Sequence, residues 1–195
     1  MQTLTDVATA TLEIKKSTFH AFLVPFAHFE TWCETLKTDH PKARHIVWAY
    51  RVPNAYDQMV ENQTDDGEPK GTSGPPALAA LRGAELVDVA VLIVRYFGGI
   101  KLGPGGLVRA YAGATNAAID AAILVPYAPK ASVRFYVPYA LVQRVEYWVE
   151  KEGYETKERV FDGAGATWEL ALTKAQEEAF RGFTCAFVQE GLAWL

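Results

Sequence analysis

Residues 89–94 read VAVLIV, six apolar side chains in a row. Successive side chains of a β-strand point to opposite faces, so a strand without polar positions needs apolar cover above and below. The stretch VDVAVLIVRYF (87–97) therefore predicts a central strand covered on both faces. It runs straight into RYFGGIKLGPGGLVRAY (95–111), which holds five glycines, one proline, three cations and no acid. A backbone so poor in Cβ atoms is costly to order. Beyond it, LVRAYAGATNAAIDAAI (107–123) has helical spacing, and its Ala and Gly side chains permit close packing on a sheet.

Around this pair the first half alternates strands and helices. TLEIKKSTFHAFLVP (11–25) alternates like a strand or hairpin arm, and HFETWCETLKTDHP (28–41) has helical spacing stopped by Pro41. ARHIVWAYRVP (43–53) is β-branched and aromatic, hence a strand. ENQTDDGEPKGTSGPP (61–76) is polar and rich in turn residues, which predicts a loop, and PALAALRGAEL (76–86) predicts a short helix. VPYAPK (125–130) has two prolines in six residues and reads as a linker. After it the order is strand, amphipathic helix closed by Gly153, two alternating strands around DGAG, a second helix, and LAWL as a short last strand. That β-α-β-β-α-β order is the split βαβ of ferredoxin-like domains. The expected class is α+β with two domains, 1–127 and 128–195, which a chain of 195 residues is long enough to fill.

Composition removes several functions. A net charge of −4 argues against a general basic coat for nucleic acid, so polyanion binding would rest on local patches. Cys33 and Cys185 are too far apart to suggest a disulfide framework or zinc spacing. The first residues, MQTLTDVATATLEIKK, lack the basic start and apolar run of a signal peptide, and VAVLIV is far too short to span a bilayer. The expectation is a cytoplasmic protein without membrane contact.

Charge is sorted along the first half. His40–Tyr56 contains Lys42, Arg44, Arg51, His40 and His45 without an acid; Asp57–Glu68 contains five acids without a base; Val89–Ile119 contains Arg95, Lys101 and Arg109 without an acid. If the two basic windows meet, they form a cationic face on an anionic chain. The glycine segment fits neither the Walker loop nor the dinucleotide fingerprint, since the third glycine position counted from Gly103 and Gly105 falls on Val108. What survives is a flexible turn and a helix starting after Gly106, with N–H groups and a positive dipole end flanked by Lys101 and Arg109. The candidate phosphate-binding residues are Arg44, His45, Arg95, Tyr96, Lys101, Gly103, Gly105, Gly106 and Arg109. Gly98 and Gly99 are read as structural.

Other residues admit two readings each. Asp65, Asp66 and Glu68 form an acidic loop suited either to a divalent cation or to a turn whose acids bond backbone N–H groups and pair with Arg95 or Lys101. Thr72 and Ser73 have no marked base beside them, and Ser73 before Gly-Pro suits a helix cap. Tyr96, Phe97 and Tyr111 suit base stacking or the core. No catalytic residue, metal site or cofactor is assigned.

DDGEPKGTSGPP, VLIVRYFGGIKLGPGGLVRAY and the upstream HPKARHIVWAY together resemble the IMPACT/YigZ family, over about residues 12–125. Pro104 departs from it, stiffening a position where relatives tolerate several residues. The resemblance implies a first domain folded like the second domain of ribosomal protein S-five, with a left-handed βαβ crossover. It implies a ferredoxin-like second domain similar to the last domain of elongation factor G. It also implies regulation of translation, which eukaryotic relatives exert by binding a protein that activates a stress kinase; it brings no catalytic residues. The leading expectation is a non-enzymatic protein that binds RNA, the ribosome or a translation-related partner through its basic glycine-rich face. The alternatives are an enzyme acting on a small phosphorylated compound and a protein-interaction module.

Overall fold

A computed structural model describes residues 1–54, 56 and 58–195. Asp57, the first acid of the acidic window, lies outside the described residues. The chain divides into two compact units, Met1–Tyr127 and Ala128–Leu195.

The first unit is a five-stranded antiparallel sheet with helices on both faces. Its strands are β2 (Ala8–Ile14), β3 (Ser17–Pro25), β4 (His45–Pro53), β5 (Met59–Thr64) and β6 (Val89–Tyr96), in the order β2-β3-β6-β4-β5. The VAVLIV strand lies at the centre, and its alternation explains the cover on both sides. Val89, Val91 and Ile93 pack into a core with α2 (Gly74–Gly83) and α3 (Pro104–Asp120). Ala90, Leu92 and Val94 point the other way, into an aromatic-rich layer under α1 (Phe29–Asp39). The β2–β3 turn places Lys15 and Lys16 at φ 47° and 66°, the left-handed pair that two-residue hairpins use. A short two-stranded sheet joins β1 (Gln2–Leu4) to β7 (Leu124–Pro126).

Two local expectations are revised. Residues 59–64 form the edge strand β5, so the first four residues of the expected loop, 61–64, are strand instead. Their polarity is that of an edge, because the backbone pairs with β4 while Glu61 bonds Arg51 at 2.7 Å and also Arg82. Helix α3 starts at Pro104, three residues before Leu107, so Gly105 and Gly106 belong to its first turn. Proline suits that position, since its missing N–H has no partner there anyway.

The second unit contains β8 (Lys130–Pro138), α4 (Tyr139–Lys151), β9 (Glu155–Phe161), β10 (Gly165–Thr173), α5 (Lys174–Thr184) and β11 (Ala193–Trp194), in the sheet order β11-β8-β10-β9. Trp168, Phe135 and Phe180 are its largest fully buried side chains. Helix α5 starts on a capping box, with Thr173 Oγ1 accepting from Gln176 N and the Gln176 side chain accepting from Thr173 N.

Candidate nucleic-acid interface

The site lies at the end of the sheet where β6 leaves and β4 enters. In the antiparallel register His45 sits opposite Arg95, which brings the two basic windows to one place. A cavity of about 420 Å³ is lined by Lys42, Arg44, His45, Arg95, Tyr96 and Phe97. A second, of about 390 Å³, shares Arg95 and Phe97 and continues to Lys101, Gly103 and Pro104. A third, of about 320 Å³, shares Arg44 and adds Lys37, His40 and Trp48. Arg109 lines none of them, but reaches back along α3, with Nη1 3.7 Å from where a Cβ on Gly105 would stand.

The cations differ in what balances them. Among the described residues, Lys42, Arg44, Lys101 and Arg109 make no ion pair within 4.0 Å. Arg95 is the exception. Its side chain is 9% exposed and bonds Glu68, itself 3% exposed. Tyr111 donates a second hydrogen bond to Glu68 at 2.9 Å. Burial, and then the Glu68 charge, push the Tyr111 hydroxyl far above its ordinary pKa, so it remains a donor. The Arg95 guanidinium lies 5.5 Å from the Phe19 ring centroid and 5.7 Å from that of Phe97, and its buried Nε has no hydrogen-bond partner among the described residues.

The three acids of the loop point to three different partners. Asp65 Oδ1 accepts the N–H groups of Ser73 and Gly74 at 3.0 and 2.9 Å, and Oδ2 accepts that of Gly71 at 2.7 Å. Asp65 thus caps α2 from the preceding loop. Ser73 occupies the N-cap position but gives its hydroxyl to Asp65 instead. Asp66 accepts Ile46 N–H at 2.6 Å, and its carbonyl accepts from His45 Nδ1 at 2.6 Å, which puts the His45 proton on that nitrogen. Glu68 holds Arg95. Among the described residues no group of three or more His, Cys, Asp or Glu is arranged to hold a metal ion.

Asp65 gives a pH test. Burial raises its pKa, but the hydrogen bonds from Gly71, Ser73 and Gly74 outweigh that and leave it below the ordinary carboxylate value. A depressed folded pKa contributes stability above the unfolded value of about 3.9 and loses it as pH falls through the folded value. Asp65→Asn is expected to cost about 2 kcal/mol at neutral pH. In urea titrations the gap to the wild type should narrow below about pH 4; a constant gap would rule out the ionised cap.

The aromatic candidates separate by burial. Tyr111 is core, with its ring edge-on to Phe19 at 5.2 Å. Tyr96 is half-buried and its hydroxyl lies 2.8 Å from His40 Nδ1. Phe97 is 54% exposed. Lys42 joins the site although it was not among the residues singled out from sequence; the signal was its place in the same acid-free window. Gly103, at φ 71°, is the N-cap of α3, which has no side-chain cap. The glycine segment therefore presents an uncapped helix start beside Lys101.

Residues 15–119 match the Impact N-terminal domain. The chain belongs to the IMPACT family. An IMPACT family member of Thermus thermophilus is 40% identical over 146 residues, covering 74% of this chain and 78% of that protein. The IMPACT family member YigZ of Escherichia coli K12 is 42% identical over 112 residues, which is 55% of this chain and 54% of YigZ. The match thus spans about half the length of that relative. A solved structure described only as an hypothetical protein aligns over 100% of this chain and 95% of its own, with 30% identity and a TM-score of 0.74. The mixed α/β architecture is therefore shared along the whole chain. No described helix is long and apolar enough to cross a membrane.

Proposed function

We propose that this IMPACT family member is a non-enzymatic RNA-binding protein acting in the regulation of translation, on the ribosome or on RNA associated with it. The observation that carries the reading is the gathering of Lys42, Arg44, His45 and Lys101 around Arg95 in adjoining cavities. A chain of net charge −4 has concentrated ammonium and guanidinium groups where main-chain donors are uncovered. That arrangement suits a chain of phosphates. Family membership supports the link to translation. The carboxylates an enzyme would need are already bonded to protein groups, which favours binding over catalysis at this place.

The finer fold assignment belongs to the same proposal. The second unit, with its β-α-β-β-α-β order and sheet order β11-β8-β10-β9, supports a ferredoxin-like domain at 128–195. In the first unit, β3 and β4 run parallel on either side of β6 and α1 links them. That is where a crossover of the ribosomal protein S-five kind, left-handed against the usual rule, is expected.

RNA affinity should fall with salt, with a log–log slope of about 0.7–0.9 for each phosphate contact. The Arg44→Ala/Lys101→Ala double variant should weaken binding of all RNA sequences alike, by roughly tenfold, and flatten that slope by between about one and two. Fluorescence anisotropy with labelled RNA measures both. Absence of binding at about 50 mM salt, an unaltered double variant, or equal affinity for poly-glutamate would each refute the assignment.

A further inference from the structure

We infer that the RNA taken by this face is single-stranded, with one base laid against the ring of Phe97 while Lys101, Arg44 and Lys42 hold the flanking phosphates. The inference rests on the proposed RNA-binding role and specifies its ligand. Three observations lead to it.

Of the three aromatics near the glycine segment, only Phe97 offers a ring to solvent. Tyr111 is fully buried, and Tyr96 is half-buried with its hydroxyl engaged by His40. Phe97 is more than half exposed, with Ile100 also 44% exposed in the same segment. Together they leave apolar surface open beside four cations.

The ring is also held in place. It follows the last residue of the central strand, and the Arg95 guanidinium stands 5.7 Å from its centroid. The next residue, Gly98, donates its N–H to Ser17 Oγ at 3.2 Å, fastening the backbone to the β2–β3 hairpin. A ring carried on a backbone anchored on both sides loses less freedom on binding.

The ring stands where two cavities meet, since Phe97 and Arg95 line both. Cations continue on either side, Lys42 and Arg44 in one direction and Lys101 in the other. A positively charged track interrupted by an aromatic ring is how proteins hold single strands, because every base has a π-face to stack. A duplex keeps its bases stacked inside and has none to offer such a ring.

The test uses the full chain and two probes: a labelled unstructured RNA of about 12 nucleotides, and the same strand annealed to its complement. The single strand should bind at least tenfold more tightly at equal salt. Phe97→Ala should weaken the single strand about tenfold, spare the duplex and leave the salt slope unchanged, since the lost contact carries no charge. Phe97→Trp should bind like the wild type. Phe97→Leu keeps an apolar side chain without a π-face and should behave like the alanine variant, which guards against a folding defect in the latter. Equal binding of both probes, or wild-type affinity in Phe97→Leu, overturns the inference. If both probes bind equally and Arg44→Ala/Lys101→Ala still flattens the slope, the single-strand assignment fails alone. If neither probe binds at low salt, the RNA-binding role fails with it.

Discussion

Glu68→Ala is expected to destabilise the first unit by about 3–5 kcal/mol, because it leaves the Arg95 charge buried without a counter-charge. The two side chains are 9% and 3% exposed, so water from the adjoining cavity would restore only part of the lost interaction. Tyr111 would lose its acceptor as well. The double variant Arg95→Met/Glu68→Leu should recover most of the loss, since buried ion pairs exchanged whole for apolar groups are often neutral or better. Urea denaturation of Glu68→Ala, of the single variants Arg95→Met and Glu68→Leu, and of the double separates the cases. A single variant that unfolds at the wild-type midpoint would mean the pair is looser than its burial indicates. RNA affinity of the double variant adds a second readout. If Arg95 contributes to the anion site, binding weakens although stability returns.

Gly98→Ala should also destabilise the first unit, by somewhat less and for a steric reason. A Cβ there would stand 1.9 Å from both the carbonyl carbon and the oxygen of Lys16 and 2.5 Å from Ser17 N. Carbon atoms in contact prefer about 3.5–4.0 Å, so the loop and the hairpin would have to part. Overpacking of this kind typically costs about 1–3 kcal/mol, and the upper end is expected where every atom met is backbone. Because Phe97 is the adjacent residue, the proposed RNA binding should fall together with stability. Gly99→Ala is the control. Gly99 has φ 84° and open space around it, so an added methyl meets only the strain of a left-handed residue, about 1 kcal/mol. Equal stability of the two variants would show that the loop is not pressed against the hairpin.

The fold was legible wherever a periodic pattern had one explanation. VAVLIV could only be central, and α1, α4 and α5 announce themselves by helical spacing. Residues 59–64 escaped because an edge strand is held by its backbone and needs no apolar code; here Glu61 makes its ion pairs with side chains from other elements. The glycines hid the start of α3, since Gly105 and Gly106 have poor helix propensity and only Pro104 marks the first turn. At the site, the segregation of charge was visible, but not which cations stay open. Arg95 and Lys101 look alike in sequence. The path of the loop before α2 decides that Glu68 meets Arg95, at the end of β6, and not Lys101. The cap of α2 was invisible for a similar reason: Asp65 lies eight residues before Ser73, beyond any local capping signal.

The pairing of β1 with β7 sets the order in which the first unit can be completed. Gln2 lies opposite Pro126 and Leu4 opposite Leu124, so the seam joins segments about 120 residues apart. During synthesis Gln2 can bond Glu85 and Val87 first, but the seam with β7 has to wait until nearly all of the unit has left the ribosomal tunnel. Closure over such a separation is slow compared with hairpin formation. The β2–β3 hairpin, joined by two residues, is available far sooner as a starting surface. Maturation of the unit therefore ends with the clasp that ties residue 2 to residue 126, just as the linker towards the second unit emerges.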